Sequence, residues 1–337
     1  MSKSPIFEKK NVLITGGAGF IGSHLAERLL REARVICVDN FVTSSERNID
    51  HLLKNPDFEF LKVDINTAFD LETFPELARF KLPFQGVQEI YHLAAPTSPK
   101  QFDQYKIETL RAGSEGTIRV MEIARKYKAR VVFGSSSVVY GPREPDHAIF
   151  KEGDLGRVNQ LSPRACYDEG KRFSETIVQT YADVYGVDAK IARLFRGYGP
   201  RLRLFDGQMI PDFVLQALDG KDLVIYGDES FSTSLCYVTD IVDGLIRLMK
   251  APREIGPVNI GSDEDVKLID VAKKIIAMTG SESKIVFEPP LVFMTSLGLP
   301  DIRKAKEDLG WLPLVRLEDG LAQTIEYTKA NRMLLGF

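Results

Sequence analysis

Tyr167 and Lys171 stand four residues apart, so on a helix they project from one face, one turn above the other. A tyrosine is a poor base at neutral pH, its reference pKa being roughly 10. An ammonium close by favours the phenolate and makes the phenol a usable proton acceptor. Such a pair can take the proton of a sugar hydroxyl while a hydride leaves the same carbon. Two companions separate it from an ordinary surface pair: a glycine-rich turn near the N-terminus and a serine cluster at 135–137.

The turn is Gly16-x-x-Gly19-x-x-Gly22, placed between the apolar run 11–15 and a helical pattern that opens at Phe20 and Ile21. That order is what a pyrophosphate needs: a tight turn, close backbone approach, and free N–H groups at a helix N-terminus. Asp39, followed by Asn40, closes the second apolar run about twenty residues further on, where a carboxylate can bond both ribose hydroxyls. It would repel a 2′-phosphate, and no arginine follows it directly, so NAD is expected rather than NADP. Asp64 ends the third run, where it and the following Ile65 can meet the adenine edge, and Leu93, Ala94 and Ala95 end the fourth. Pro96 and Ser98 come next, where they can reach cofactor or substrate.

These residues require a particular scaffold. Apolar runs at 11–15, 34–39, 58–64, 89–95 and 130–135 alternate with helical periodicity at 21–31 and 108–127. Such alternation predicts βαβ units and a Rossmann-type doubly wound parallel sheet in an α/β fold. A helix is predicted over 165–185, carrying the Tyr/Lys pair, then a strand over 189–195. Beyond them helices are expected at 209–218, 238–249, 269–278 and 317–329, and strands at 223–226 and 258–260. The chain divides accordingly: residues 1–195 as the NAD-binding domain with the catalytic helix, and 196–337 as a mainly substrate-binding part interleaved with the last strands.

With the turn, Ser137, Tyr167 and Lys171 together, the chain resembles the extended short-chain dehydrogenase/reductase family acting on nucleotide sugars. The stretches His92-Leu93-Ala94-Ala95, Tyr140-Gly141 and Gly199-Pro200-Arg201 agree. The block from Pro163 to Arg172, with Asp206-Gly207 and Pro300-Asp301-Ile302, points to the branch of the UDP-glucuronate decarboxylases. The resemblance implies Tyr167 as base, Lys171 as holder of the nicotinamide ribose, and Ser137 as hydrogen-bond partner of the hydroxyl. It implies oxidation at C4 of a hexose, Tyr226 against the nucleotide base, and a homodimer built on helices 108–127 and 165–185.

The match breaks at charged positions. Val138 stands where the branch has a glutamate, Thr233 where it has an arginine near the sugar carboxylate, and Arg196 where it has an asparagine near the sugar phosphate. Leu297-Gly298-Leu299 replaces basic residues. Arg196, Arg201 and Arg203 can supply phosphate contacts instead. Losing a charge-assisted hydrogen bond costs roughly 1.5–3 kcal/mol, so these losses favour a C4 dehydrogenase or C4 epimerase over UDP-glucuronate decarboxylation, the second reading. A non-catalytic NAD-binding sensor is the alternative of another class.

Composition narrows the setting. A net charge of −3 gives no basic footprint for nucleic acid. Three scattered cysteines and four histidines show no metal-ligand spacing, and no apolar run is long enough for a membrane span. A cytoplasmic enzyme with a nucleotide-diphosphate-sugar substrate, no metal and no membrane or nucleic-acid partner is expected.

Overall fold

Strands that are apolar on both faces need helices on both sides of the sheet. The computed structural model describes residues 9–97, 103–204, 206–291 and 296–331. In it Val12, Leu13 and Ile14 of β1 (Lys10–Thr15) have no exposed surface, nor have residues 35–38 of β2 (Ala33–Asp39). With β3 (Phe58–Lys62), β4 (Glu89–His92), β5 (Arg130–Ser136), β6 (Ala189–Leu194) and β7 (Val258–Ile260) they form a seven-stranded sheet. Its order is β7-β6-β5-β4-β1-β2-β3, and every pairing is parallel. The order reverses between β1 and β4, which opens a crevice above their carboxyl ends. The register sets Thr15 opposite both Val38 and His92, so the turns after β1, β2 and β4 leave the sheet at one level.

Alternate residues of the strands feed the two cores. Val12, Ile14, Val35 and Cys37 meet Leu25 and Leu29 of α1 (Phe20–Leu29) on one side. Leu13, Ile36, Ile90 and Val131 meet Val120, Met121 and Ala124 on the other. Those three lie on α3 (Thr117–Tyr127), which continues α2 (Lys106–Arg111) through a π turn at Ala112–Gly116. The Thr117 hydroxyl donates to Ala112 O at 3.0 Å across that turn. The bulge brings Gly113 against α4 (Ala165–Tyr185), where a Cβ on Gly113 would lie 2.8 Å from Gly170 Cα. Only glycine permits that approach, and it fixes the helix that carries Tyr167 and Lys171.

The second half packs α5 (Met209–Leu218), α7 (Leu268–Thr279) and α9 (Leu317–Asn331) around Phe213, Val214, Ile275 and Leu321. Ile241 and Leu245 of α6 (Val238–Lys250), with β7 and Trp311, instead join the core of the main sheet. The two parts of the chain therefore share a core. α8 (Arg303–Leu309) borders β7. The expected strands 58–64 and 89–95 end earlier, because Asp64 turns the chain by accepting from Asn66 N at 2.8 Å and residues 93–95 peel off over the crevice. Among the described residues no helix is long and apolar enough to cross a membrane, and no cluster of His, Cys, Asp or Glu could hold a metal.

Candidate active site

The glycine turn has the shape its spacing predicts. Gly16 takes φ +74°, and a Cβ there would stand 2.8 Å from Ala94 N, while one on Gly22 would overlap Gly16 O. Gly19 caps α1 without a side-chain hydrogen bond, so the first N–H groups of the helix stay open to the crevice. A cradle this tight fits a pyrophosphate and little bulkier.

The crevice is a cleft of about 610 Å³. Gly16, Gly19, Phe20, Ile21 and Gly22 line one stretch, with Asp39, Asn40, Asp64 and Ile65 beside them. Leu93, Ala94, Ala95 and Pro96 come next, then Ser136, Ser137, Tyr167 and Lys171. Arg164, Arg196, Arg201 and Arg203 also line the cleft. Ser98 lies outside the described residues. Two expected substrate contacts are not among the lining residues. Tyr226 lies on a strand paired with Ile285–Glu288, and Thr233 is buried in a two-residue strand paired with Val266–Lys267. Spacing along the chain could not reveal which way these short strands turn.

Asp39 is almost fully buried, and it clamps the turn to β2. Its Oδ2 accepts from Ala18 N at 3.1 Å; its Oδ1 accepts from Phe41 N at 2.9 Å and Ser44 Oγ at 2.7 Å. A carboxylate offers about four acceptor positions. One ribose hydroxyl can therefore bind directly, and a second when Ser44 turns away. Asn48 ties the same turn down from the other side, donating to Ala18 O at 2.9 Å.

The reaction end departs from expectation by one residue. The Ser136 hydroxyl, one residue before the expected Ser137, is the serine that acts on the Tyr167 phenol. Ser137 is buried and lines the cleft, but it opens the turn Ser137–Tyr140 that leads away from β5. Burial raises the Tyr167 pKa, while the Ser136 hydroxyl and the charge of Arg164 pull it back. Lys171 acts differently from the simple pair picture. Its Nζ donates to Gly134 O at 2.6 Å and lies 5.8 Å from the Tyr167 ring centroid, and burial lowers its own pKa to about 8.

Glu175, one turn beyond Lys171, supports the site from behind, and sequence reasoning missed it. It accepts from Ser135 Oγ at 2.6 Å and from Arg193 at 3.0 and 2.7 Å. Arg193 also donates to Tyr140 Oη at 2.9 Å, which donates to Asn259 Oδ1 at 2.7 Å. This buried network ties α4, β5, β6 and β7 together directly behind the serines. The signal available was Glu175 at helical spacing from Tyr167 and Lys171. His92 sits in a second network, within 2.7 Å of Thr15 Oγ1 and 3.2 Å of Thr117 Oγ1, and burial drives its pKa down to about 3. Its neutral form is favoured, and both ring nitrogens face hydroxyls of the scaffold.

A phosphate cradle, a ribose carboxylate and a Ser/Tyr/Lys set on one cleft make a site for hydride exchange with a hydroxylated carbon. Residues 12–261 match the model of the NAD dependent epimerase/dehydratase family. The chain belongs to this family. It is 39% identical over 321 residues to UDP-glucuronic acid decarboxylase 1 of Danio rerio, covering 95% of this chain and 73% of the relative. Among solved structures, the UDP-glucose 4-epimerase of Thermotoga maritima with UDP-glucose superposes with a TM-score of 0.83 at 26% identity, covering 96% of this chain and 99% of the other. The UDP-glucuronic acid 4-epimerase of Bacillus cereus, in complex with UDP-glucuronic acid and NAD, gives 0.81 at 27%, covering 95% and 99%. NAD is the cofactor of this epimerase/dehydratase, as the glycine cradle and Asp39 require. The enzyme class and nucleotide-sugar chemistry expected from the sequence hold. The weighting between net reactions does not: the decarboxylase relatives favour decarboxylation over the C4 dehydrogenase or epimerase expected from the missing charges.

Proposed function

We propose that this chain acts on UDP-glucuronate, oxidising C4 and then releasing the C5 carboxylate as CO₂. The observation that carries the reading is that Ser136, Tyr167 and Lys171 line one cleft with the glycine turn, the Ser136 hydroxyl favouring the Tyr167 phenolate, together with relatives named for this reaction. NAD, when bound, supplies the hydride acceptor and later the hydride donor. Tyr167 takes the C4 hydroxyl proton as the phenolate, a form that the Ser136 hydroxyl favours before the transfer. Lys171, held by Gly134 O, is placed to hold the nicotinamide ribose. The resulting ketone is β to the carboxylate. When the C5–carboxylate bond breaks, its electron pair passes into an enolate whose oxygen lies at Tyr167 and Ser136. A solvent proton then adds at C5, and the hydride returns to C4 as Tyr167 gives its proton back to the C4 oxygen, which closes the cycle.

C4 epimerisation without loss of CO₂ is the second reading, favoured by Val138, which lines the cleft with an apolar side chain. Incubation with UDP-glucuronate, then mass spectrometry and proton NMR, separates the two. A pentose product with CO₂ supports the first, and a uronate of inverted C4 supports the second. No conversion of UDP-glucuronate overturns both.

A homodimer belongs to the same proposal. Ile107, Leu110 and Ile118 on α2 and α3, and Phe173 and Val184 on α4, are exposed on neighbouring helices. A second copy of that apolar face is the natural cover. Three buried, unpaired thiols, Cys37, Cys166 and Cys236, support a reducing, cytoplasmic setting.

A further inference from the structure

Arg196 lies just past β6 at the carboxyl edge of the sheet and lines the cleft with Arg164, Ser136 and Tyr167. Its hydrogen bond is to the thioether of Met209, 3.5 Å from Nη1. Sulfur is a weak acceptor, and a guanidinium has five N–H donors. Among the described residues no carboxylate pairs with Arg196, whereas Arg164 is held by Asp168 at 2.9 Å and Arg201 by Glu27. A half-buried cation without a counter-charge, beside a second guanidinium, is costly to keep unless something anionic comes to it.

Resting on the UDP-glucuronate reading, we propose that Arg196, with Arg164 beside it, is the specificity-determining contact for a carboxylate on the reacting sugar, selecting uronic over neutral nucleotide sugars. The electrostatics point the same way. Burial and the charge of Arg164 lower the Arg196 pKa to about 10. The Arg164 charge is felt at Tyr167 as well. Arg196 therefore belongs to the Tyr167 end of the cleft, whereas Arg201 reaches toward Glu27 and Asn48 at the glycine turn. A neutral hexose leaves Arg196 without an anion, and a site built for a charged group rejects the ligand that lacks it. Thr233, uncharged and not among the lining residues, offers no cationic contact there.

The anion at Arg196 has two possible sources in one ligand, the sugar carboxylate and the diphosphate, and calorimetry on the NAD-loaded protein tells them apart. UDP, UDP-glucose and UDP-glucuronate are titrated into the wild type, Arg196→Gln and Arg196→Lys, with melting temperature and NAD content as folding controls. The wild type is expected to bind UDP-glucuronate at least about 10-fold more tightly than UDP-glucose. Arg196→Gln should erase that preference and change UDP binding by less than about 3-fold, while Arg196→Lys should keep part of the preference. Equal weakening of all three ligands in Arg196→Gln assigns Arg196 to the diphosphate and overturns the proposal, as does no change at all. A preference that Arg196→Gln abolishes, in an enzyme that releases no CO₂, keeps the carboxylate contact and removes only the decarboxylation. Should no UDP ligand bind, UDP-glucuronate falls as substrate, and acid–neutral pairs carrying GDP or dTDP decide Arg196 by the same comparison.

Discussion

Ser136 and Ser137 are neighbours, yet replacing them should have very different effects. Ser136 ends β5, and its hydroxyl meets Tyr167; Ser137 begins the next turn. Ser136→Ala removes the hydroxyl that favours the ionised Tyr167 oxygen, the form that takes the proton, and a hydrogen bond to a charged group is worth roughly 1.5–3 kcal/mol. Felt in the transition state, that is about a 10- to 150-fold fall in kcat with KM changed by less than about 3-fold. Ser136 Oγ also accepts from Val138 N at 3.4 Å, so the alanine variant loses a turn cap worth about 1 kcal/mol of stability. Ser136→Thr keeps both contacts and should recover most of the rate. The pH profile supplies a readout that a merely structural role would not move. The Ser136 bond holds the Tyr167 pKa down against burial, so its removal should shift the base-ionisation limb of kcat to higher pH. Ser137→Ala should lower kcat by less than about 3-fold. Steady-state product formation, with NAD content and melting temperature as controls, measures all three variants. If Ser137→Ala proves the more damaging, or Ser136→Ala leaves the pH limb in place, Ser136 is not the partner of the base.

The buried ammonium of Lys171 gives a stability prediction. Its pKa falls from 10.5 to about 8 on folding, so between those values the unfolded chain binds more protons and stability rises with pH. Relative to Lys171→Met, which should lose turnover, the wild type should gain melting temperature from pH 7.5 to 10, on the order of 3 kcal/mol in all; a flat difference refutes the buried charge. Gly22→Ala forces a Cβ onto Gly16 O and should weaken NAD binding by more than about 100-fold in a calorimetric titration, and near-native affinity would mean that the cradle does not hold the cofactor. Phe173→Asp and Ile118→Asp should each convert a dimer to a monomer in light scattering, and an unchanged mass in both removes the proposed interface.

The cofactor half was legible in the sequence because its chemistry is backbone chemistry. Glycines at Gly16 and Gly22 report close contacts that no other residue allows, and Asp39 lies at the end of an apolar run whose register is set by the core. The helix over 165–185 was equally legible from periodicity, ending at Gly186 with φ +72°. Which of three consecutive serines faces Tyr167 was not, because successive residues at a strand end point to opposite sides and one position decides it. The role of Lys171 was half legible: spacing puts it beside Tyr167, but only the fold shows its ammonium committed to Gly134 O. Thr233 and Tyr226 lie on short strands whose pairing partners are some 30 to 60 residues away, and local pattern carries no information about that.

The missing glutamate at Val138 counts against decarboxylation less than its charge suggests. Oxidation at C4 places a carbonyl β to the carboxylate, and that carbonyl is the electron sink for CO₂ loss. Breaking the C–C bond needs no second carboxylate from the protein. Protonation of the enolate does need an acid, because C5 must gain a proton before the hydride returns. Val138, buried and apolar at the cleft wall, can neither give that proton nor order a water to do so. Tyr167, having taken the C4 hydroxyl proton, is the acid that remains within the site, and it is already committed to the ketone oxygen, so the proton at C5 comes from solvent. Substitution at 138 thus bears on the step after CO₂ departs rather than on its departure. The oxidation machinery, held on β5, α4 and the glycine turn, is untouched by it. Loss of CO₂ therefore depends on how the carboxylate is seated against the C4 ketone, and the residue positioned to seat it is Arg196.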